Sequence, residues 1–153
     1  MIALSDHKFA TIQDAKDFAL AGNAIITLQS LRTGAHFTYK IRAKDVAGEI
    51  KADYSPDRIW FVSLLSGADN ESDYQYLGLI NKHREFRLTA KSRAGANAPS
   101  VKAFEWFWHM VRDGIPTELV VRHEGRCGRC GRTMTVPESI DRGIGPECAQ
   151  KIA

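Results

Sequence analysis

Apolar residues along this 153-residue chain recur first with a helical period and then in alternation. Ile12, Ala15, Phe18 and Ala19 lie three or four positions apart, which puts them on one face of a helix. Thr11 precedes them with Asp14 three residues on, a variant of the capping box, and Gly22 follows as a natural stop. A first helix is predicted over about 12–21. Residues 24–29 and 36–42 then flank Leu31-Arg-Thr-Gly34, a turn with glycine where a positive φ is wanted. Phe37, Tyr39 and Ile41 face one way and His36, Thr38, Lys40 and Arg42 the other, the pattern of a half-buried antiparallel hairpin.

Residues 59–65 form a nearly unbroken apolar run, predicted as a central strand covered on both faces. Residues 67–73 read as a polar loop, and 74–80 and 85–89 as two more strands around Asn81-Lys-His-Arg84. After a connector over 91–99, Ser100 is the expected cap of a second helix that stops at Gly114. On that helix Val101, Phe104, Phe107, Trp108 and Val111 share the core face. Trp106 and Met110 fall on the opposite face beside Lys102 and His109, either under the tail or presented to a partner. A last strand over 118–123 leads into the tail. The pattern predicts an α+β fold, one antiparallel meander sheet with two helices over 1–121, followed by a treble-clef-like zinc module over 122–153.

The tail changes the picture most, because it holds all three cysteines. Cys127 and Cys130 are two residues apart among glycines, which forms a tight knuckle aiming both sulfurs at one centre. Cys148 follows Gly145-Pro146-Glu147 at an expected helix start, where the positive end of the dipole favours a thiolate. His123 is the expected fourth ligand, with Asp141 and Glu147 as less usual ones. The competing reading of His123 is a strand-end histidine bonded to backbone. A Cys127–Cys130 disulfide with Cys148 left over is the alternative to zinc. Four protein ligands leave no position for a substrate water, so a structural site is expected. A nucleobase deaminase is excluded, since its pattern needs His-x-Glu far upstream of Pro-Cys-x-x-Cys, and here Glu124 directly follows His123.

Composition is that of an ordinary globular protein, 44% hydrophobic and 25% charged. No apolar run is long enough for a bilayer span and the N-terminus lacks the pattern of a signal peptide, so a cytoplasmic setting is expected. Net charge is +3, but residues 1–78 carry −2 and residues 79–153 carry +5. That asymmetry points the second half toward an anionic partner.

The tail residues Cys-Gly-Arg-Cys-Gly-Arg, Pro-Glu-Ser139-Ile and Gly-Ile-Gly-Pro-Glu-Cys148 resemble a family of uncharacterised domains in bacteriophage, prophage and plasmid proteins. Trp60-Phe-Val, residues 70–78 and Ala98–Phe104 are similar to stretches of whole-length phage members. The resemblance implies zinc and a mobile-element setting inside a bacterial host, and no particular activity.

Three functions are compatible with these residues. The first is a non-enzymatic nucleic-acid-binding accessory protein. It would use Lys82, Arg84, Arg87, Lys91, Arg93 and Lys102, with Arg126, Arg129, Arg132 and Arg142 around the zinc and Trp106 for stacking. The second is a counter-defence protein that inhibits a host immune effector, its acidic loop residues Asp45, Glu49, Asp53, Asp57, Asp69, Glu71 and Asp73 mimicking nucleic acid. The third is an enzyme with a site assembled across the sheet. The chain holds no phosphate loop, and its remaining histidines, His7, His36, His83 and His109, are scattered.

Overall fold

The computed structural model describes residues 7–44, 58–68, 72–111, 114–131 and 143. In chain order the elements are α1 (Ile12–Ala19), β1 (Asn23–Ser30), β2 (His36–Lys44), β3 (Ile59–Leu65), β4 (Tyr74–Ile80), β5 (Phe86–Arg87), α2 (Pro99–Trp108) and β6 (Leu119–His123). The strands make one sheet in the order β5-β4-β3-β2-β1-β6, with every neighbouring pair antiparallel. Strands β1 to β5 meander outward; the chain then crosses back through α2 and adds β6 beside β1. The architecture is α+β, as the alternation predicts. The acidic positions Asp45, Glu49, Asp53, Asp57, Asp69 and Glu71 lie outside the described residues, as does most of the tail.

Local chemistry sets the elements. Thr11 is the N-cap of α1, its hydroxyl accepting the Asp14 N–H at 3.0 Å, and Ile12, Ala15, Phe18 and Ala19 are buried. Tyr39 and Ile41 face the core from β2, and Phe37 packs against it. A register shift between β3 and β4 sets Val62 opposite Gly78 and Ser63 opposite Tyr76. The intervening Leu77 thereby turns into the core, where it is 1% exposed. Phe104 of α2 sits at the centre, its ring 4.8 Å from that of Phe86 and 4.9 Å from that of Tyr39. Both helices lie on this one face of the sheet, so the core is one layer of helix on one of strand.

The structure departs from the sequence expectations at three places. Helix α2 starts two residues earlier, with Ala98 at the N-cap and Pro99 first in the helix, so Ser100 lies inside the first turn. It also ends at Trp108 rather than Gly114. Gly114 forms a bridge with Thr11, and the Lys16 ammonium takes the Met110 carbonyl at 2.8 Å, both of which hold the chain away from a helical path. Val111 is consequently 97% exposed instead of in the core, and Met110 packs against the core instead of lying on the face opposite to it. Strand β3 is covered on one face only: Trp60 and Val62 are buried, while Phe61 and Ser63 are partly buried. Lastly, β5 shrinks to Phe86–Arg87.

Tyr39 ties the two layers together, its hydroxyl donating to the Ser100 carbonyl at 2.6 Å. Burial pushes this phenol well above its ordinary value of 10.0. The unfolded chain therefore releases that proton above about pH 10 while the folded chain retains it, so stability falls as pH rises through that range. We expect a slope approaching about 1.4 kcal/mol per pH unit from this one residue. Urea titrations from pH 9 to 11.5 should show it, and Tyr39→Phe should flatten the profile while lowering stability at pH 7 by about 1 kcal/mol.

Candidate metal knuckle and open sheet face

Strand β6 delivers the cysteine knuckle to a fixed place. It pairs with β1 from Ser30↔Leu119 to Ile26↔His123, and its other edge is bound by residues 7–9. There Phe9 N–H donates to the Val121 carbonyl at 2.8 Å and His123 N–H to the His7 carbonyl at 3.0 Å. Beyond Gly125 the chain turns through Cys127-Gly-Arg-Cys130, closed by the Gly131 N–H on the Cys127 carbonyl at 2.8 Å. The Gly128 carbonyl accepts from Asn23 N–H at 2.7 Å, and Gly128 N–H donates to the Gly143 carbonyl at 2.8 Å. Gly128 lies flat on α1: an added Cβ would sit 2.7 Å from ring carbons of Phe18 and 3.1 Å from its carbonyl oxygen. The knuckle is thus docked on the end of α1 and the start of β1. It does not cover Trp106, which is 48% exposed beside a hollow lined by Leu28, Phe37, Ala103 and Leu119.

Two of the expected thiolate ligands, Cys127 and Cys130, lie among the described residues on this one turn. Cys127 is buried, Cys130 is exposed, and no disulfide joins them. His123 is 4% exposed and stacked on His7, with ring centroids 5.0 Å apart and 8° between planes. The rings of Phe9 and Phe18 flank it at 5.2 and 5.4 Å. Its Nδ1 accepts the Gly125 N–H at 2.9 Å, which places the proton of the neutral ring on Nε2. Ligation through Nε2 therefore requires that proton to leave and the Gly125 bond to be exchanged. Among the described residues no three His, Cys, Asp or Glu side chains converge. Cys148, Asp141 and Glu147 lie outside the described residues, as do Arg132 and Arg142.

The other face of the sheet has no helix on it among the described residues. By strand alternation it presents Ile25 and Thr27 of β1, Lys40, Arg42 and Lys44 of β2, Phe61 and Ser63 of β3, Tyr74 and Tyr76 of β4, Arg87 of β5 and Arg122 of β6. None of the six strands contains an aspartate or a glutamate. The Lys40 ammonium lies 5.4 Å from the centre of the Tyr74 ring, and the Lys44 ammonium 5.9 Å from that of Phe61. Phe61 meets Tyr76 edge to face at 6.2 Å. Lys40 lines two adjoining clefts, one shared with Asn23, Ile25, Glu124, Arg126 and Gly131, the other with Arg42, Lys44, Phe61 and Ser63. The knuckle and the open face therefore meet at Lys40. Burial and the nearby Glu124 carboxylate both raise the Tyr74 phenol above its ordinary range. Its hydroxyl and the Arg122 Nε are buried without a hydrogen-bond partner.

The basic residues expected from the sequence do not form one patch. Arg84 at positive φ caps the core, its guanidinium 4.5 Å from the centre of the Trp60 ring and its carbonyl accepting the Trp108 indole N–H at 2.8 Å. Arg87 pairs with Glu85 at 3.0 Å on the exposed β5 edge. Lys82, Lys91 and Arg93 are exposed around that edge, and Lys102 is exposed on α2. Arg126 and Arg129 flank the knuckle at the opposite, β6 side, some 20–25 Å away at the usual strand spacing. Lys40, Arg42, Lys44, Phe61 and the two tyrosines are what the sequence reading missed. Their signal was present in the acid-free strands.

Fold and knuckle together define an α+β protein with a cysteine knuckle docked on an open-faced antiparallel sheet. Residues 117–153, which are β6 and the tail, match a family of unknown function, DUF6011. No curated protein and no solved structure matches the chain. No helix among the described residues is long and apolar enough to cross a membrane.

The packing of Gly128 on Phe18 gives a direct test of docking. Gly128→Ala should cost about 1–3 kcal/mol, because the new methyl group must displace either a core ring or the knuckle. Gly95→Ala, where a Cβ meets nothing within 4 Å, should stay within about 0.5 kcal/mol of the parent. Thermal melts of the two variants make the comparison.

Proposed function

We propose that the protein binds nucleic acid without catalysing a reaction, through the open face of its sheet and the arginines of its tail. The observation that carries the proposal is the absence of carboxylates from all six strands. They leave Lys40, Arg42, Lys44, Arg87 and Arg122 as the charges of that face. A mainly basic surface, with Glu85 and Glu124 at its margins and aromatic rings between its cations, suits a polyanion that also offers flat bases. Charge here sorts by element, strands against loops, rather than by half of the chain. The resemblance of the tail to domains of phage and plasmid proteins supports a mobile-element setting in a bacterial cytoplasm.

A zinc ion completes the proposal. Cys127, Cys130 and Cys148 would supply thiolates and His123 the fourth ligand, and the metal would contribute folding free energy to the tail rather than chemistry on a substrate. The Arg126 and Arg129 side chains would then be held on a fixed turn beside the Lys40 cleft.

Protein purified without chelator should carry one zinc per chain by elemental analysis, and Cys127→Ser should lose it together with several degrees of thermal stability. Metal-free wild type would overturn the zinc assignment. Affinity for a short oligonucleotide should fall steeply with salt, and Lys40→Ala or Arg42→Ala should each reduce the log–log slope by about 0.7–0.9. If both leave affinity and slope unchanged, the open face is not the contact surface.

A further inference from the structure

The open face carries more than charge, and its rings determine which form of nucleic acid it fits. Phe61, Tyr74 and Tyr76 stand on the two adjacent strands β3 and β4, all on the face away from the helices. Phe61 is partly buried, and the cation over its ring is the Lys44 side chain; Lys40 stands likewise over Tyr74. A lysine ammonium on a flexible stem is a replaceable cover, unlike a packed side chain. Swung aside, it leaves a ring face for a base and brings its own charge to the adjoining phosphate. Tyr76 is held in place by its hydroxyl, 3.0 Å from that of Thr89, so its ring is fixed before any ligand arrives. Duplex nucleic acid buries its base faces and cannot use such rings; an unpaired strand can.

We propose that the open face binds single-stranded nucleic acid, with bases stacked on Phe61 and Tyr76 and the backbone running along Lys40, Arg42 and Lys44 toward the knuckle. This rests on the nucleic-acid reading above and narrows it. The surface would be sequence-tolerant, since every base has a flat face, and a strand tracking from β3 to Arg126 would cross the sheet through the two clefts that share Lys40. RNA and DNA share the chemistry that this surface reads.

The test is fluorescence anisotropy with labelled 12-nucleotide thymidine and uridine oligomers and a mixed-sequence duplex of equal length. Wild type should bind a single strand more tightly than the duplex. Phe61→Leu, which keeps the apolar bulk and removes the π face, should weaken single-strand binding by at least about fivefold. Val111→Ala, at an exposed position that the proposal gives no role, should bind as wild type. A difference between the thymidine and uridine arms assigns the strand to DNA or RNA. Should Phe61→Leu fail to fold, photocrosslinking of wild type to 5-iodouracil oligomers should map to Phe61, Tyr74 or Tyr76. Equal binding of duplex and single strand, an unaffected Phe61→Leu, or crosslinks confined to α2 or the β4–β5 turn would overturn the stacking proposal and leave the nucleic-acid reading standing. No binding of any of the three probes by wild type would overturn both.

Discussion

The pairing of β6 with β1 is the constraint on which the rest of the molecule depends. It joins residues 119–123 to residues 26–30 across more than half of the chain. Closing so long a loop costs conformational entropy that grows only slowly with its length, and the ladder, with Leu119 and Val121 buried beneath it, offsets that cost. Once made, the pairing leaves little freedom to the residues just beyond the strand. His123 lands opposite Ile26 at the end of the ladder, and the knuckle turns onto Phe18 and Asn23. Residues 7–9 bind the far edge of β6, so neither side of that strand is left as a bare edge.

The second consequence is one-sidedness. Two helices of eight and ten residues cover one face of the sheet, and the crossover through α2 carries the chain back over that same face. The opposite face must then be compatible with water. Its strands meet that requirement with lysine, arginine, threonine and tyrosine rather than with carboxylates. The lysine stems on β2 lie over aromatic rings that would otherwise be bare apolar surface. A surface that is solvated by cations over rings is also one that an unpaired polyanionic strand could occupy by displacing them.

Much of this was legible in the sequence, and the omissions have physical causes. The Thr11 cap, the Leu31–Gly34 turn and the alternation of β2 are local, and local patterns fixed those elements to within two residues. The α+β class followed from them. The apolar spacing of α2 continues to Val111 and predicts a longer helix, whereas the Thr11–Gly114 bridge and Lys16, neither visible locally, end it at Trp108. The run at β3 reads as buried on both faces because Phe61 is as apolar as Trp60; only the topology shows that one of them has no helix above it among the described residues. The knuckle was legible from cysteine spacing. Its docking on α1 was not, since Gly128 signals its contact with Phe18 only by lacking a side chain. Reading charge by halves of the chain hid the basic face, which lies in β2, within the nominally acidic half.

In the function proposed above, the knuckle and the open face of the sheet form one binding surface that meets at Lys40. Amide hydrogen exchange of the wild-type protein, with and without a saturating single-stranded oligonucleotide, tests it most directly. The account predicts added protection in β2 and β3 and in residues 125–131 together, with α2 and the β4–β5 turn unchanged. Protection confined to α2 and the β5 edge, or found at the knuckle without the sheet, would contradict it.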